Sequence, residues 1–226
     1  MDEHAPKSRI AVLTGDIVGS TALDRAALDH AMRALEDCAR DQAQWMGAPL
    51  HFTRHRGDGW QVVCARPALA LRSALAFRAS LRIVAEDIDS TIGIAVGPAP
   101  ATALPDDLNA ASGPAFTASG RVLEALRALH DRDGLRMGYG PKAGAATYAA
   151  SHLADHFASG WTSAQAEAIR PLLTPATKIS YTQVAKRLGK SRQSVTKSAE
   201  AAGWRRLALV LPRLEQELDE LYSAGT

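Results

Sequence analysis

With two cysteines in 226 residues, the chain has too few for a disulfide framework. Cys38 falls in a helical pattern and Cys64 at the end of a strand pattern, positions that suit small buried residues. Aromatic residues make up 5 % of the chain and are scattered, which argues against a platform of stacked rings for single-stranded nucleic acid. There is no uninterrupted apolar run of about 18 residues, so no membrane-spanning helix and no membrane partner is expected. The run Ile10–Leu13, behind a charged N-terminus, is too short for a signal peptide, and the expected location is the cytoplasm. The seven histidines show no metal-ligand spacing; His51 and His55 sit beside a hairpin and read as surface residues. Internal repeats and low-complexity runs are absent.

What is present is an ordinary soluble composition, 46 % hydrophobic and 22 % charged. A chain of this length can bury one substantial core and leave a second module of about 50 residues. The net charge of +2 says little, but its distribution says more. Between Lys178 and Arg206 stand Lys178, Lys186, Arg187, Lys190, Arg192, Lys197, Arg205 and Arg206 against a single acid, Glu200. The two expected domains are residues 1–158 and the basic module 159–226.

Along the first domain, Ile10–Thr14 reads as a buried strand that delivers the carboxylate of Asp16 at its C-terminal tip. Apolar spacing at Leu28, Met32, Leu35, Cys38 and Ala39 predicts a helix over 26–45. Leu50–Arg56 and Trp60–Cys64 flank a Gly57-Asp58-Gly59 turn, which predicts a hairpin holding Asp58 outward. Pro67 opens a second helix through Val84, and a strand follows over 91–96. A proline-containing loop covers 98–113, long enough to be functional or mobile. A helix over 114–129, a weak strand near 135–139 and further helical pattern over 141–173, with Trp161 between two segments, complete the reading.

Asp16 and Asp58 on adjacent strand tips supply the hard oxygen ligands that a Mg²⁺ ion needs beside a phosphate. A turn residue at 58 and a cap at 16 explain the spacing equally well. Ile17, Val18, Gly19, Ser20 and Thr21 follow Asp16 and favour the phosphate reading. They form a small-residue turn at a helix start, where backbone N–H groups face an anion.

In the second domain Val184, Ala185 and Leu188 give a first helix its inner face. Gly189 ends that helix, Ser191 caps the next, and Val195 packs back. Arg192, Gln193, Ser194 and Lys197 are then exposed on a second helix, as base-edge and phosphate contacts in a major groove require. Lys178, Thr182, Lys190, Ser191 and Arg205 add backbone contacts. Trp204 reads as a core plug. Leu207, Val210, Leu211, Leu214, Leu218 and Leu221 form an amphipathic tail able to pair with a second copy, interrupted at Pro212.

The strings Gly15–Thr21, Arg56–Trp60, Ile92–Gly97 and Gly113–Arg121 occur in the order seen in class III nucleotidyl cyclases, and residues 9–140 resemble that catalytic domain. With Gly-Pro-Ala-Phe at 113–116 ahead of a helix-turn-helix, the whole chain resembles the SatD family. The resemblance implies an α/β (α+β) fold: a ferredoxin-like βαββαβ core, then an all-α helix-turn-helix domain. It also implies composite sites between two subunits, hence a homodimer. By position, Asp16 and Asp58 match the metal-binding aspartates, and Arg121 matches the arginine that steadies the transferring phosphate. Thr117 stands where cyclases place asparagine, Ala110 replaces the purine-selecting aspartate, and Arg54 replaces a lysine. The implied nucleotide site is therefore Asp16, Ile17, Gly19, Ser20, Thr21, Arg54, Asp58, Thr117 and Arg121, with metal and phosphate recognition kept and base recognition altered. The expected function is a DNA-binding regulator whose cyclase-like domain binds a nucleotide or cyclic nucleotide, with Mg²⁺. An active cyclase with a regulatory helix-turn-helix and a ligand-free dimerisation scaffold are the alternatives.

Overall fold

The computed structural model describes residues 8–55, 57–100, 103–175 and 179–224. Its central strand, β1 (Arg9–Ile17), is buried on both faces along most of its length. It pairs antiparallel with β3 (Gly59–Cys64) on one side and with β4 (Ser90–Pro98) on the other. The hairpin partner β2 (His51–Arg54) lies outside β3, and β5 (Met137–Tyr139) lies parallel to β4 at the far edge. The strand order is β2-β3-β1-β4-β5. The protein is thus a mixed α/β structure: among the described residues, eight α-helices surround one five-stranded mixed sheet.

Pleat alternation sends successive side chains to opposite faces of β1. Ala11, Leu13 and Ile17 meet α1 (Arg25–Met46) and α2 (Ala70–Val84), whereas Ile10 and Val12 meet Leu108, Ala115 and Phe116. Ala115 and Phe116 belong to α3 (Pro114–Asp133) and Leu108 to the long loop before it, so α3 covers the second face. Glycine makes that close cover possible. A Cβ at Gly93 would come within 2.5 Å of the Leu123 backbone, and one at Gly97 within 3.2 Å of that of Ala115. On the other face, Gly15 leaves room for the Trp60 indole, which packs 5.0 Å from the Phe77 ring.

The element limits differ from the sequence reading in instructive ways. β1 runs on to Ile17, so Asp16 sits within the strand, opposite Gly59 and Thr91, and not past its tip. The turn after Ile17 leads into a single 3-10 turn, Ser20–Ala22, and α1 starts only at Arg25 behind the Asp24 cap. Pro67 likewise opens a short 3-10 turn before α2.

Trp161 separates α4 (Ala145–Ser159) from α5 (Ser163–Leu172). Next come α6 (Tyr181–Leu188), α7 (Arg192–Ala201) and α8 (Trp204–Ala224). The main core continues without a break from the sheet into Ala154, Trp161, Ile169, Leu207, Leu211, Leu214 and Leu218. The expected interruption at Pro212 does not occur. α8 is continuous through it, and Pro212 itself is exposed at the surface. Nor is the tail a spare face awaiting a second copy. Four of its leucines are buried in the chain's own core, Glu215 forks onto Arg72 at 2.6 and 2.8 Å, and only Val210 and Leu221 of the apolar stripe are exposed.

Candidate functional sites

Thr14 and Asp16 point to the α3 side of the sheet, where the Thr14 and Ser119 hydroxyls meet at 2.7 Å. Two residues further along β1, Asp16 Oδ2 accepts from Arg127 Nε at 3.0 Å and from Nη2 at 2.7 Å. Asp16 Oδ1 is buried and has no hydrogen-bond partner among the described residues. Burial raises the Asp16 carboxyl above its ordinary range, Arg127 opposes the rise, and the Asp58 charge adds to it. Asp58 comes from the β2–β3 turn, where its carbonyl accepts from Ile17 N and its Oδ2 accepts from the Ser20 hydroxyl. Together with Val18, Gly19, Thr21 and Thr91, these residues line a shallow depression of about 290 Å³. Ile17 and Val18 spend their amides on Asp58 and Asp89 carbonyls. Gly19, in the left-handed region at φ 66°, turns the chain, and the Gly19, Ser20 and Thr21 amides meet no hydrogen-bond acceptor among the described residues.

The structure thus brings together Asp16, Ile17, Gly19, Ser20, Thr21 and Asp58, but not the rest of the expected set. Thr117 and Arg121 lie exposed on α3, outside the depression. Six residues beyond Arg121, a turn and two-thirds of helix, Arg127 is the arginine that reaches Asp16. Arg54 is likewise elsewhere: its Nη1 donates to Asp29 at 2.8 Å and lowers that carboxyl below its ordinary value. Arg127 carried no motif that the sequence reading could use; its signal is only its place on the helix that covers Asp16.

The second candidate site is built on α5, α6 and α7, whose Ala168, Leu172, Val184, Ala185, Val195 and Ala199 form their own small core. Ser180 and Gln183 make a reciprocal cap at the start of α6. At its end Gly189 adopts φ 63° and Lys190 N donates back to Ala185 O at 3.0 Å, which stops the helix and turns the chain. Ser191 then caps α7 by accepting from Ser194 N at 3.1 Å. Arg192, Gln193, Ser194 and Lys197 are all exposed, as is Thr182 on α6. Two expected contacts are engaged within the chain: Lys190 pairs with Glu167, and Arg205 with Glu200 at 2.5 Å. Lys178 lies outside the described residues, as does Arg56 of the hairpin motif.

Comparison with protein-family models and with curated proteins returns no match to this chain.

Between the two sites lies a buried ionic cluster that sequence reasoning missed. Arg78, fully buried, forks onto Asp89 at 2.8 and 2.6 Å and reaches Asp155 of α4 at 2.6 Å. Arg82 and Arg136 add donors to Asp89 at 2.9 and 3.1 Å. Burial alone would raise the Asp89 carboxyl, but Arg78, Arg82 and the Ser90 amide outweigh it and hold Asp89 at about 2. The cluster bonds directly to the Asp16 site and reaches the end of α7 only through the α4–α5 connection. Asp89 O accepts from Val18 N, and Ser90 Oγ donates to Asp16 O. On the other side Arg82 donates to Ser159 O, and Trp161 Nε1 donates at 2.9 Å to Ala202 O, at the end of α7.

Proposed function

We propose that the protein is a DNA-binding transcriptional regulator whose N-terminal domain, residues 1–158, takes a nucleotide or cyclic nucleotide as effector. The observation that carries the reading is the α6–Gly189–α7 unit. Its inner face is packed by Val184, Ala185, Val195 and Ala199, while Arg192, Gln193, Ser194 and Lys197 are all presented outward on its second helix. That distribution supports a helix-turn-helix over residues 159–226, with α7 entering the major groove of duplex DNA. The antiparallel order β2-β3-β1-β4, with α1 and α2 on one face, supports a ferredoxin-like cyclase-type core for the first domain.

In the effector site, the amides of Gly19, Ser20 and Thr21 and the Arg127 guanidinium are the anion donors. The orphaned, buried Asp16 Oδ1 and the Asp58 carboxylate are hard oxygen donors of the kind Mg²⁺ takes. When bound, the ion neutralises phosphate charge; the chain's residues hold and orient the ligand. Binding without cyclisation is the favoured chemistry, because Thr117 and Ala110 stand where cyclases place an asparagine and the purine-selecting aspartate. As a homodimer, the protein presents two α7 helices to half-sites about 34–36 Å apart.

The test is duplex binding on genomic fragments, alongside thermal unfolding against a panel of nucleoside triphosphates and cyclic nucleotides. Sequence-selective, salt-sensitive binding is expected, with a ligand-dependent rise in melting temperature that Asp16→Ala removes. Binding that ignores sequence overturns the regulator. The absence of a nucleotide shift reduces the first domain to a dimerisation scaffold.

A further inference from the structure

We infer that Arg127 is a counter-ion latch on Asp16: it keeps a divalent cation off the carboxylate pair until a phosphate group draws the guanidinium away. This deepens the effector-site reading and rests on it.

Arg127 places two donors, Nε and Nη2, on the same oxygen, Asp16 Oδ2. A guanidinium carries five N–H groups, so three remain. The two ends of the pair differ in access. The Asp16 side chain is 14 % exposed and held in β1, whereas that of Arg127 is 52 % exposed and reaches across from α3. Arg127 therefore has the freedom to turn, and Asp16 does not.

A cation and Arg127 compete for one carboxylate. With the latch on, two carboxylates and one guanidinium leave a net charge of −1 at the site, and Asp16 Oδ2 is already taken. The Ser20 hydroxyl similarly covers Asp58 Oδ2. Among the described residues no third carboxylate, histidine or cysteine joins the pair to make a cage. Mg²⁺ held by one or two carboxylates relies on phosphate oxygens to complete its shell. A phosphate meets both needs at once: it supplies oxygens to the cation and an anion to the planar fork of Arg127. Cation and phosphate then bind as a pair, each strengthening the other by the same factor.

The experiment titrates Mn²⁺, read by the paramagnetic resonance of the free ion, into the full-length protein. Wild type, Arg127→Ala, Arg127→Gln and Asp16→Asn are compared with no other ligand, and sodium phosphate is titrated separately without metal. Removing the latch is expected to tighten Mn²⁺ binding at least tenfold in both Arg127 variants and to weaken phosphate binding at least tenfold. Asp16→Asn is expected to abolish Mn²⁺ binding. Mn²⁺ affinity in the Arg127 variants within twofold of wild type overturns the latch, as does no Mn²⁺ binding by any variant. A nucleotide-dependent melting shift measured in chelator separates the two failures. If it persists, the effector site stands without the latch; if it is missing as well, both fall.

Discussion

Replacing Asp89 by Asn keeps the side chain's shape and removes one negative charge from a place where three arginines converge. The fully buried Arg78 would keep Asp155 as its remaining carboxylate, and Arg82 and Arg136 would each lose the charge of Asp89. A buried charge stripped of its partner costs about 3–5 kcal/mol. For a protein of this size each kcal/mol lowers the melting temperature by roughly 2–4 °C, so a fall of roughly 10 °C is expected. The pH dependence gives an independent reading. The Asp89 carboxyl sits at about 2 against an ordinary 3.8, so its contribution is present in full above that ordinary value and is lost as pH falls from about 4 towards 2. The displacement corresponds to about 2 kcal/mol. Burial instead raises the Asp155 and Asp16 carboxyls, whose contributions run in the opposite direction and partly mask the trend in wild type. The quantity to measure is therefore the difference between wild type and Asp89→Asn, from urea unfolding at closely spaced pH values between 2 and 7. It should shrink by about 2 kcal/mol across the acid window. A difference under about 1 kcal/mol at pH 7, or one independent of pH, refutes the claim that this cluster stabilises the fold through charge.

Gly93→Ala should destabilise by about 1–3 kcal/mol, because the new methyl meets the backbones of Ser119 and Leu123 and α3 must lift from β4. Unchanged stability in chemical denaturation would mean that α3 does not lie this close. If α7 is the recognition helix, Gln193→Ala should cost about 1–3 kcal/mol on the preferred duplex and relax its base preference. Lys197→Ala should weaken all duplexes alike and reduce the salt slope by about 1. Anisotropy titrations over a range of salt concentrations separate the two, and identical effects from both variants would refute these assignments.

The elements whose apolar residues follow one period were legible in the sequence: β1, α1, the β2–β3 hairpin and the α6–α7 pair, whose Gly189 and Ser191 punctuation is local chemistry. What escaped notice depends on partners distant in the chain. α2 is buried on every side from Ala70 to Arg82, so Arg72, Arg78 and Arg82 look like solvent-facing residues until Glu215, Asp89 and Asp155 are brought to them. The clue was that α2 carries no polar residue besides those arginines and the small Ser73 and Ser80. Pro212 misled for the opposite reason. A proline weakens a helix locally, but Leu207, Leu211, Leu214 and Leu218 dock α8 on both sides of it, and tertiary packing outweighs the lost bond. At the Asp16 site the strand and hairpin patterns located the carboxylates, whereas the arginine that meets Asp16 is set by how closely α3 lies over Gly93 and Gly97.

If the protein is the effector-controlled DNA-binding regulator proposed above, the buried cluster constrains how an effector at Asp16 alters DNA binding. Hydrogen bonds lead from Asp16 O and Val18 N to Ser90 and Asp89, from the Asp89 carboxylate to Arg78 and Arg82, and from Arg82 to Ser159 O at the end of α4. Two residues later Trp161 grips Ala202 at the end of α7. Arg78, Asp89 and Asp155 are almost without solvent contact, so the cluster cannot open piecemeal without stranding a charge, at a cost beyond what a bound nucleotide's differential affinity normally supplies. β4, α2 and α4 must therefore move as one body. In a homodimer the effector would act by changing how two such bodies meet, and with them the spacing of two α7 helices, not by loosening α7 within its own chain.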